Sequence, residues 1–367
     1  MSVGNNHLYI KIKENIIEDI KGLKPDERLP SRTALVNKYN VTRTTIDRAI
    51  SELIGEGYLY SLDGSGTYVK ANGKSNVVTV ENDVANWGVI LPNIMHDGYP
   101  GILRGVEDIA NRNNINVVIC NTDNHTTKQS NYIDKLVESG VKGLVIVPAI
   151  IGENDLNPFK KIQAKKIPMV FCNRGVSGIV SPKVIPSSFH GGYIATKHLI
   201  QMGYRIVAFI SRPMYSASLD RYQGYLSALT EANIAINEDY VFFEEEFEIA
   251  RPGYEATKVI LQKRPRPDAI FCFNDIIAHG AYEAISEMGL KVGEDIGLMG
   301  YDDTSICEKT PVKLTSIRCQ TYEVGSIAAQ LLLDIMHTEN VSPNKTVILQ
   351  PELVIRDSCK QRTRDNN

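Results

Sequence analysis

No apolar run in this 367-residue chain approaches the roughly 20 residues needed to cross a bilayer. The N-terminus also lacks the apolar stretch of a secretion signal, so a cytoplasmic protein that engages no membrane is expected. The six cysteines (120, 172, 272, 307, 319 and 359) show no CxxC or CxxH spacing. A zinc site is therefore not expected, nor is any other metal. Cys120, Cys172 and Cys272 sit inside apolar, strand-like runs and read as buried, reduced thiols. No GxGxxG follows a strand and no GxSxG elbow occurs, which leaves dinucleotide chemistry and the nucleophile-elbow hydrolases without support. No cofactor is expected. An excess of one charge is missing too: 40 Lys and Arg stand against 43 Asp and Glu, a net charge of −3. That balance decides nothing about nucleic acid, because a near-neutral chain can carry a local basic face.

The length suits two or three domains, and the texture divides accordingly. Pro30 and Ser31 open a short helix, with Ser31 as N-cap and Ala34, Leu35 and Tyr39 as its apolar face. Asn40 and Val41 form a tight turn. Thr42 then caps a second helix, in which Ile46, Ala49, Ile50, Leu53 and Ile54 recur at three-and-four spacing. Its polar face carries Arg43, Thr44, Thr45, Asp47 and Arg48. After Gly57, the runs YLYSL and GTYV flank Asp63–Gly64–Ser65–Gly66, a hairpin whose glycines accept positive φ. Upstream, Tyr9, Ile12, Ile16, Ile17 and Ile20 form a helical stripe that should pack beneath this module. Helix-turn-helix followed by a hairpin is a winged helix. It places the first turn of the second helix against base edges in a major groove.

In order and spacing, LPS…VTRTTIDRAISEL…EGYLY…GSGTYV resembles the GntR-type winged-helix domain of bacterial transcription factors. The resemblance covers residues 1–70 and implies DNA contacts from Arg32, Thr42, Arg43, Thr44, Thr45, Asp47, Arg48, Ser65 and Gly66. Three positions depart from the family pattern. Asp47 stands where arginine is usual, Ser65 where a basic wing residue is common, and Thr33 where a basic residue is common, with Arg32 beside it. Residues 1–70 hold ten Lys and Arg against nine Asp and Glu, so non-specific affinity should be modest and salt-sensitive.

Residues 71–86 are small and polar and read as a linker, with VVTV a candidate short strand. From 87 to 360, continuous apolar runs alternate with amphipathic helices. The runs are GVILP, INVVICN, GLVIVP, IPMVFCN, IVAFIS, AIFCFND and IGLMGYDD. Unbroken apolar strands between helices mean parallel sheets covered on both faces. About ten such units are too many for one compact sheet, so the expected class is α/β, a two-lobed, doubly wound sensor behind the winged helix. The lobes should divide at about 187 and 320, and a polar tail fills 361–367. Ligands in such folds sit beyond the carboxyl ends of strands. Those ends carry Asn93, Asn121, Asp123, Asn173, Arg174, Asn274, Asp275, Asp302 and Asp303. Any one of them alone is an ordinary turn or cap residue type.

This part resembles the LacI/GalR effector domain, which shares its fold with periplasmic sugar-binding proteins. The matching stretches include GVILPNI, RGVEDIA, HGGYIATKHLIQMGY, DRYQGYLSAL and IFCFNDIIAHGAYEAISEMGLKVGEDIGLMGYDDT. A GntR-type reader on a LacI-type sensor is the arrangement of arabinose-repressor-like proteins. The resemblance implies that Arg221, with Asp220 beside it, grips the effector together with Asn274, Asp275, Asp302 and Gln320. Asn173 and Arg174 are strand-end candidates. Tyr99, His96, Tyr215 and Tyr301 are candidates to stack on a sugar face. Asp and Asn suit vicinal hydroxyls, and arginine supplies a rigid fork of donors. Ser187–Ser188 stands where the family commonly carries acids, which removes charge from the cleft.

The expected function is a sequence-specific repressor of carbohydrate-utilisation genes. It would be a homodimer on a pseudo-palindromic operator, controlled by a sugar between the lobes. Two other classes fit less well. A GntR-headed enzyme of the aminotransferase type needs a longer chain and a lysine in a cofactor context. A free sugar-binding protein needs export and no DNA head.

Overall fold

The computed structural model describes residues 5–24, 26–62, 65–70, 85–153, 155–213, 215–243, 250–337 and 341–362. Residues 71–84 of the expected linker, Asp63 and Gly64 of the hairpin, and 363–367 of the tail lie outside them. Contacts divide the chain into two compact units, Met1–Val84 and Ala85–Asn367.

The first unit holds α1 (Asn5–Ile20), α2 (Arg32–Tyr39), α3 (Arg43–Gly55), β1 (Leu59–Leu62) and β2 (Gly66–Val69). The Ser31 hydroxyl accepts from the Ala34 N–H at 3.2 Å, and Asn40 ends α2 in the left-handed region with φ 51°. These groups satisfy backbone that a short helix leaves unpaired. Ile46, Ala49, Ile50 and Leu53 of α3 are fully buried against Ile12, Ile16 and Ile20 of α1 and Leu35 of α2. Ala34 is exposed, so the apolar face of α2 is Leu35, Val36 and Tyr39. β1 and β2 pair antiparallel from Leu59↔Val69 to Leu62↔Gly66 and seal the core with Leu59 and Val69.

The second unit runs β3 (Asn86–Leu91), α4 (Gly98–Arg112), β4 (Asn116–Asn121), α5 (Thr126–Glu138), β5 (Gly143–Ile146), α6 (Asn157–Ala164), β6 (Met169–Cys172) and β7 (Lys183–Pro186). The second lobe follows with α7 (Ser188–Gln201), β8 (Val207–Ser211), α8 (Ser216–Glu231), β9 (Val241–Phe243), α9 (Arg251–Gln262), β10 (Ala269–Cys272), α10 (Asp275–Glu287) and β11 (Gly297–Met299). The chain ends with β12 (Ser316–Arg318), α11 (Thr321–His337), β13 (Thr346–Leu349) and β14 (Glu352–Val354). One parallel sheet has the order β13-β7-β6-β5-β3-β4 and the other β11-β10-β8-β9. Alternate residues of one strand enter different cores: Val145 and Val170 face α4 and α11, whereas Ile146 and Phe171 face the α5 and α6 side. Period-two alternation with both faces apolar is what makes these strands read as unbroken apolar runs.

The alternation pattern indicates two passages between lobes, but the structure has three. The chain leaves the first lobe after β7 and returns before α11. It leaves again between β13, which pairs with β7, and β14, which pairs with β12. All six cysteines are free thiols, and five are buried. Among the described residues, no helix is long and apolar enough to cross a membrane.

Candidate functional site

Two places collect polar side chains. The first is a groove on the winged helix, lined by Arg28, Arg32, Arg43, Asp47, Ser65 and Gly66 among others. Thr42 caps α3 and its hydroxyl lies 2.9 Å from that of Thr45, so these threonines set the helix start. Thr44 is exposed on the same turn. Asp47 is a brace: it takes Arg32 Nε at 3.1 Å and stands 3.8 Å from Arg43 Nε. Arg32 in turn donates to the Thr67 hydroxyl at 3.0 Å, which lies 3.1 Å from that of Ser61. One guanidinium thus joins α2, α3 and the hairpin. Arg43 stays open, with 78% of its side chain exposed. Arg48 turns toward α1, its guanidinium 3.9 Å from the Tyr9 ring centroid and 3.9 Å from Glu52. Gly66 has φ 137°, a conformation that favours glycine, and a Cβ there would stand 2.7 Å from Arg28 Nε and push that guanidinium aside. Arg28 is not apparent from the sequence because it precedes α2 and meets the hairpin through tertiary contacts, a bridge to Tyr68 and the packing of its guanidinium against Gly66.

Asp47→Asn is expected to free Arg32 and Arg43 from a carboxylate and so raise non-specific DNA affinity. The slope of log affinity against log salt should steepen by about one. The pair is partly exposed, so the stability change should stay below about 1 kcal/mol. Salt titration by fluorescence anisotropy reads the slope. Equal slopes in both proteins would show that the brace does not restrain either arginine.

The second place is a cleft between the two lobes. Its walls include Tyr99, Asn173, Arg174, Arg221, Asn274 and Asp302, with His96, Asn124, Ser188, Arg212 and Tyr215. Arg221 leaves α8 buried at 6% exposure, with its guanidinium 4.0 Å from the Phe273 ring centroid and 3.4 Å from that of Tyr301. Nη1 donates to the Phe273 carbonyl, and Nη2 lies 3.6 Å from Asp302. The glycine pair beginning α7 permits this: a Cβ on Gly191 would stand 2.2 Å from the Tyr301 hydroxyl, and one on Gly192 2.2 Å from the Arg221 carbonyl. Asn173 and Asp302 adopt φ of 64° and 97° at their strand ends, and strain of this kind gathers at ligand sites. In the first lobe, Arg174 donates to the Pro148 carbonyl at 2.6 Å and to Asn124 at 3.3 Å. At the mouth, the Asp97 carboxylate accepts from the Ser305 N–H across the lobes at 2.9 Å. The Ser305 side chain first, and then this backbone bond, hold the Asp97 carboxyl below its usual range.

Three expected ligands do not line the cleft. Asp220 sits one residue before Arg221 on α8, a turn of about 100° that leaves it exposed. Asp275 is fully buried and accepts from the Thr304 N–H at 2.7 Å, the Thr304 hydroxyl at 3.0 Å and the Ser316 hydroxyl at 2.6 Å. It supports the Asp302 turn from beneath, while Asn274 caps α10 by accepting from the Ile277 N–H at 3.0 Å. Gln320 donates to the Gln350 carbonyl at 2.8 Å and ties two of the three passages together. Asn121, Asp123 and Asp303 serve turns and ion pairs: Asn121 donates to Asp123 at 2.6 Å, and Asp303 pairs with Arg318 and Arg356, each at 2.7 Å. Tyr301 packs under Arg221 in the core. Asn124 and Arg212 went unnoticed in the sequence, although both follow the ends of strands and fall under the same strand-end rule.

Burial, with Asp302 nearby, pushes the Asp275 carboxyl up to about 7. The folded state therefore holds a proton between about pH 4 and pH 7 that the unfolded chain has lost. Stability from this group is greatest at low pH and declines across that window, then levels off. The melting-temperature difference between wild type and Asp275→Asn should shift against wild type as pH rises from 5 to 7.5. A difference independent of pH would show that Asp275 is already ionised at pH 5.

Known proteins fit these two sites. Residues 7–69 match the model for bacterial regulatory proteins of the gntR family, and residues 196–359 match that for the periplasmic binding protein-like domain. The HTH-type transcriptional repressor PurR of Histophilus somni (strain 129Pt) is 35% identical over 283 residues, covering 76% of this chain and 83% of the relative. The chain belongs to the LacI-type transcriptional regulators, with a gntR-family reader. This regulator is also 29% identical to the arabinose metabolism transcriptional repressor of Geobacillus stearothermophilus, over 96% of this chain and 98% of that one. A solved LacI family transcriptional regulator from Enterococcus faecium, with bound ribose, matches with a TM-score of 0.65 and 26% identity, over 76% of the regulator and 100% of that structure.

Proposed function

We propose that this regulator represses carbohydrate-utilisation genes in the cytoplasm, binding a pseudo-palindromic operator as a homodimer, and that a small sugar in the inter-lobe cleft controls it. The cleft carries the reading. A guanidinium fixed between two aromatic rings beside a carboxylate supplies donors and acceptors suited to hydroxyls. Relatives named for arabinose metabolism, and one structure holding ribose, point to the same ligand class. No step of this role needs catalysis. The cleft lies at the carboxyl ends of two facing sheets, so a ligand that favours one lobe arrangement shifts the population of that state. Edge strand β4 supports the dimer: Val118 and Ile119 are exposed at 42% and 49% on a sheet edge that no strand pairs among the described residues, where a second copy would cover them.

A thermal-shift screen of sugars, followed by operator anisotropy with each hit, tests the proposal. A sugar at 100 times its dissociation constant should stabilise the protein by about 2.7 kcal/mol. The same sugar should change operator affinity at least tenfold, and sedimentation should show a dimer. A sugar that binds without moving operator affinity would refute the control mechanism, and a monomer on DNA would refute the dimer.

A further inference from the structure

The cleft has far more positive than negative charge. Arg174, Arg212 and Arg221 all line it, at 7%, 2% and 6% exposure, and Asp302 is the one carboxylate among its described lining residues. Ser188 brings a neutral hydroxyl to the wall, while Ser187 is spent capping α7 on the His190 N–H at 3.3 Å. Asp275 gives no compensation at the cleft surface, since its oxygens are taken by Thr304 and Ser316. Arg221 has Asp302, but Arg174 donates to two neutral oxygens, and among the described residues no carboxylate lies within 4.0 Å of it. The Arg174 guanidinium lies 5.9 Å from the Tyr215 ring centroid, and Tyr215 lines the cleft together with all three arginines. Their charges therefore converge on one region of the cleft. A buried guanidinium is costly unless an anion meets it, and a carboxylate or phosphate meets its planar fork with two parallel bonds.

We infer that the effector is an anionic sugar, carrying a carboxylate or phosphate that seats against Arg174 while its hydroxyls meet Arg221, Asn274 and Asp302. This rests on the sugar-controlled reading above and narrows it to charged members of that class. Arg174 then acts as the selector between a charged sugar and its neutral counterpart.

The test uses the full-length regulator and calorimetry at low salt with matched sets of ligands. Suitable sets are D-glucose, D-glucuronate and D-glucose 6-phosphate; D-galactose and D-galacturonate; and D-ribose and D-ribose 5-phosphate. Inorganic phosphate and acetate serve as anions without a sugar. At least one charged member should bind tenfold or more tightly than its neutral counterpart, and which member does so separates carboxylate from phosphate. Arg174→Gln should weaken that ligand at least tenfold and the neutral sugar less than threefold. Arg174→Lys, which keeps the charge should the glutamine variant misfold, should lie between. A neutral sugar binding more tightly than its charged counterparts, or equal losses for both in Arg174→Gln, overturns the inference and leaves the sugar reading standing. Failure of every sugar, with inorganic phosphate or acetate alone shifting operator affinity, overturns both.

Discussion

Arg221→Lys is expected to lower effector affinity by ten- to a hundredfold, about 1.4–2.8 kcal/mol, while operator affinity without effector changes less than threefold. Lysine keeps the charge, so the loss isolates what the guanidinium plane does. The plane packs against two rings, at 3.4 and 4.0 Å, and sends separate nitrogens to the Phe273 carbonyl and Asp302. An ammonium is a point donor that cannot make both contacts from one rigid fork, and it forfeits the stacking. The remaining buried acceptors each cost about 1–3 kcal/mol if left unmet. Calorimetry with the cognate sugar and anisotropy with the operator read the two quantities separately. If Arg221→Lys binds effector normally, Arg221 is a structural tie between α8 and the Asp302 turn, and the ligand is held by other groups.

The second large effect is expected on DNA. Arg43→Ala should cost about 1–3 kcal/mol of operator affinity and relax preference at one base position, as loss of a bidentate base contact does. The structure singles out this residue from the polar face of α3. Arg32 is held by Asp47 and Thr67, and Arg48 lies over Tyr9, whereas Arg43 projects from the first helical turn with 78% of its side chain exposed. The comparison with Arg48→Ala sharpens the test. That variant should change affinity uniformly across sequences and by less, because its guanidinium is already occupied within the domain. A footprint and a base-preference profile unchanged in Arg43→Ala would mean that α3 is not the reading helix.

Several features were settled by sequence alone. The Ser31 and Thr42 caps, the Ile46–Ala49–Ile50–Leu53 stripe and the glycine hairpin are local: each depends on residues within one or two turns, so spacing suffices to place them. The two-sheet α/β architecture was legible for a similar reason, since strands buried on both faces must be apolar throughout. Strands β7, β9, β12, β13 and β14 were not, because each is partly exposed and so lacks the unbroken apolar run of a doubly covered strand, and with them went the third passage between the lobes. The roles of polar residues depended most on tertiary structure. The position of Asp47 on α3 is legible locally, but only the fold shows that α2 brings Arg32 to it from 15 positions upstream. Asn274 and Asp275 are neighbours in sequence, yet one faces the cleft and the other is buried beneath it, because successive residues at a helix start point about 100° apart. The positive balance of the cleft arises only when Arg174 from one lobe meets Arg212 and Arg221 from the other. Local pattern determines which side chains a segment can offer. The crossing of helices and the facing of two lobes decide which charges share a cavity, because the low dielectric that makes those charges matter exists only once the chain has folded around them.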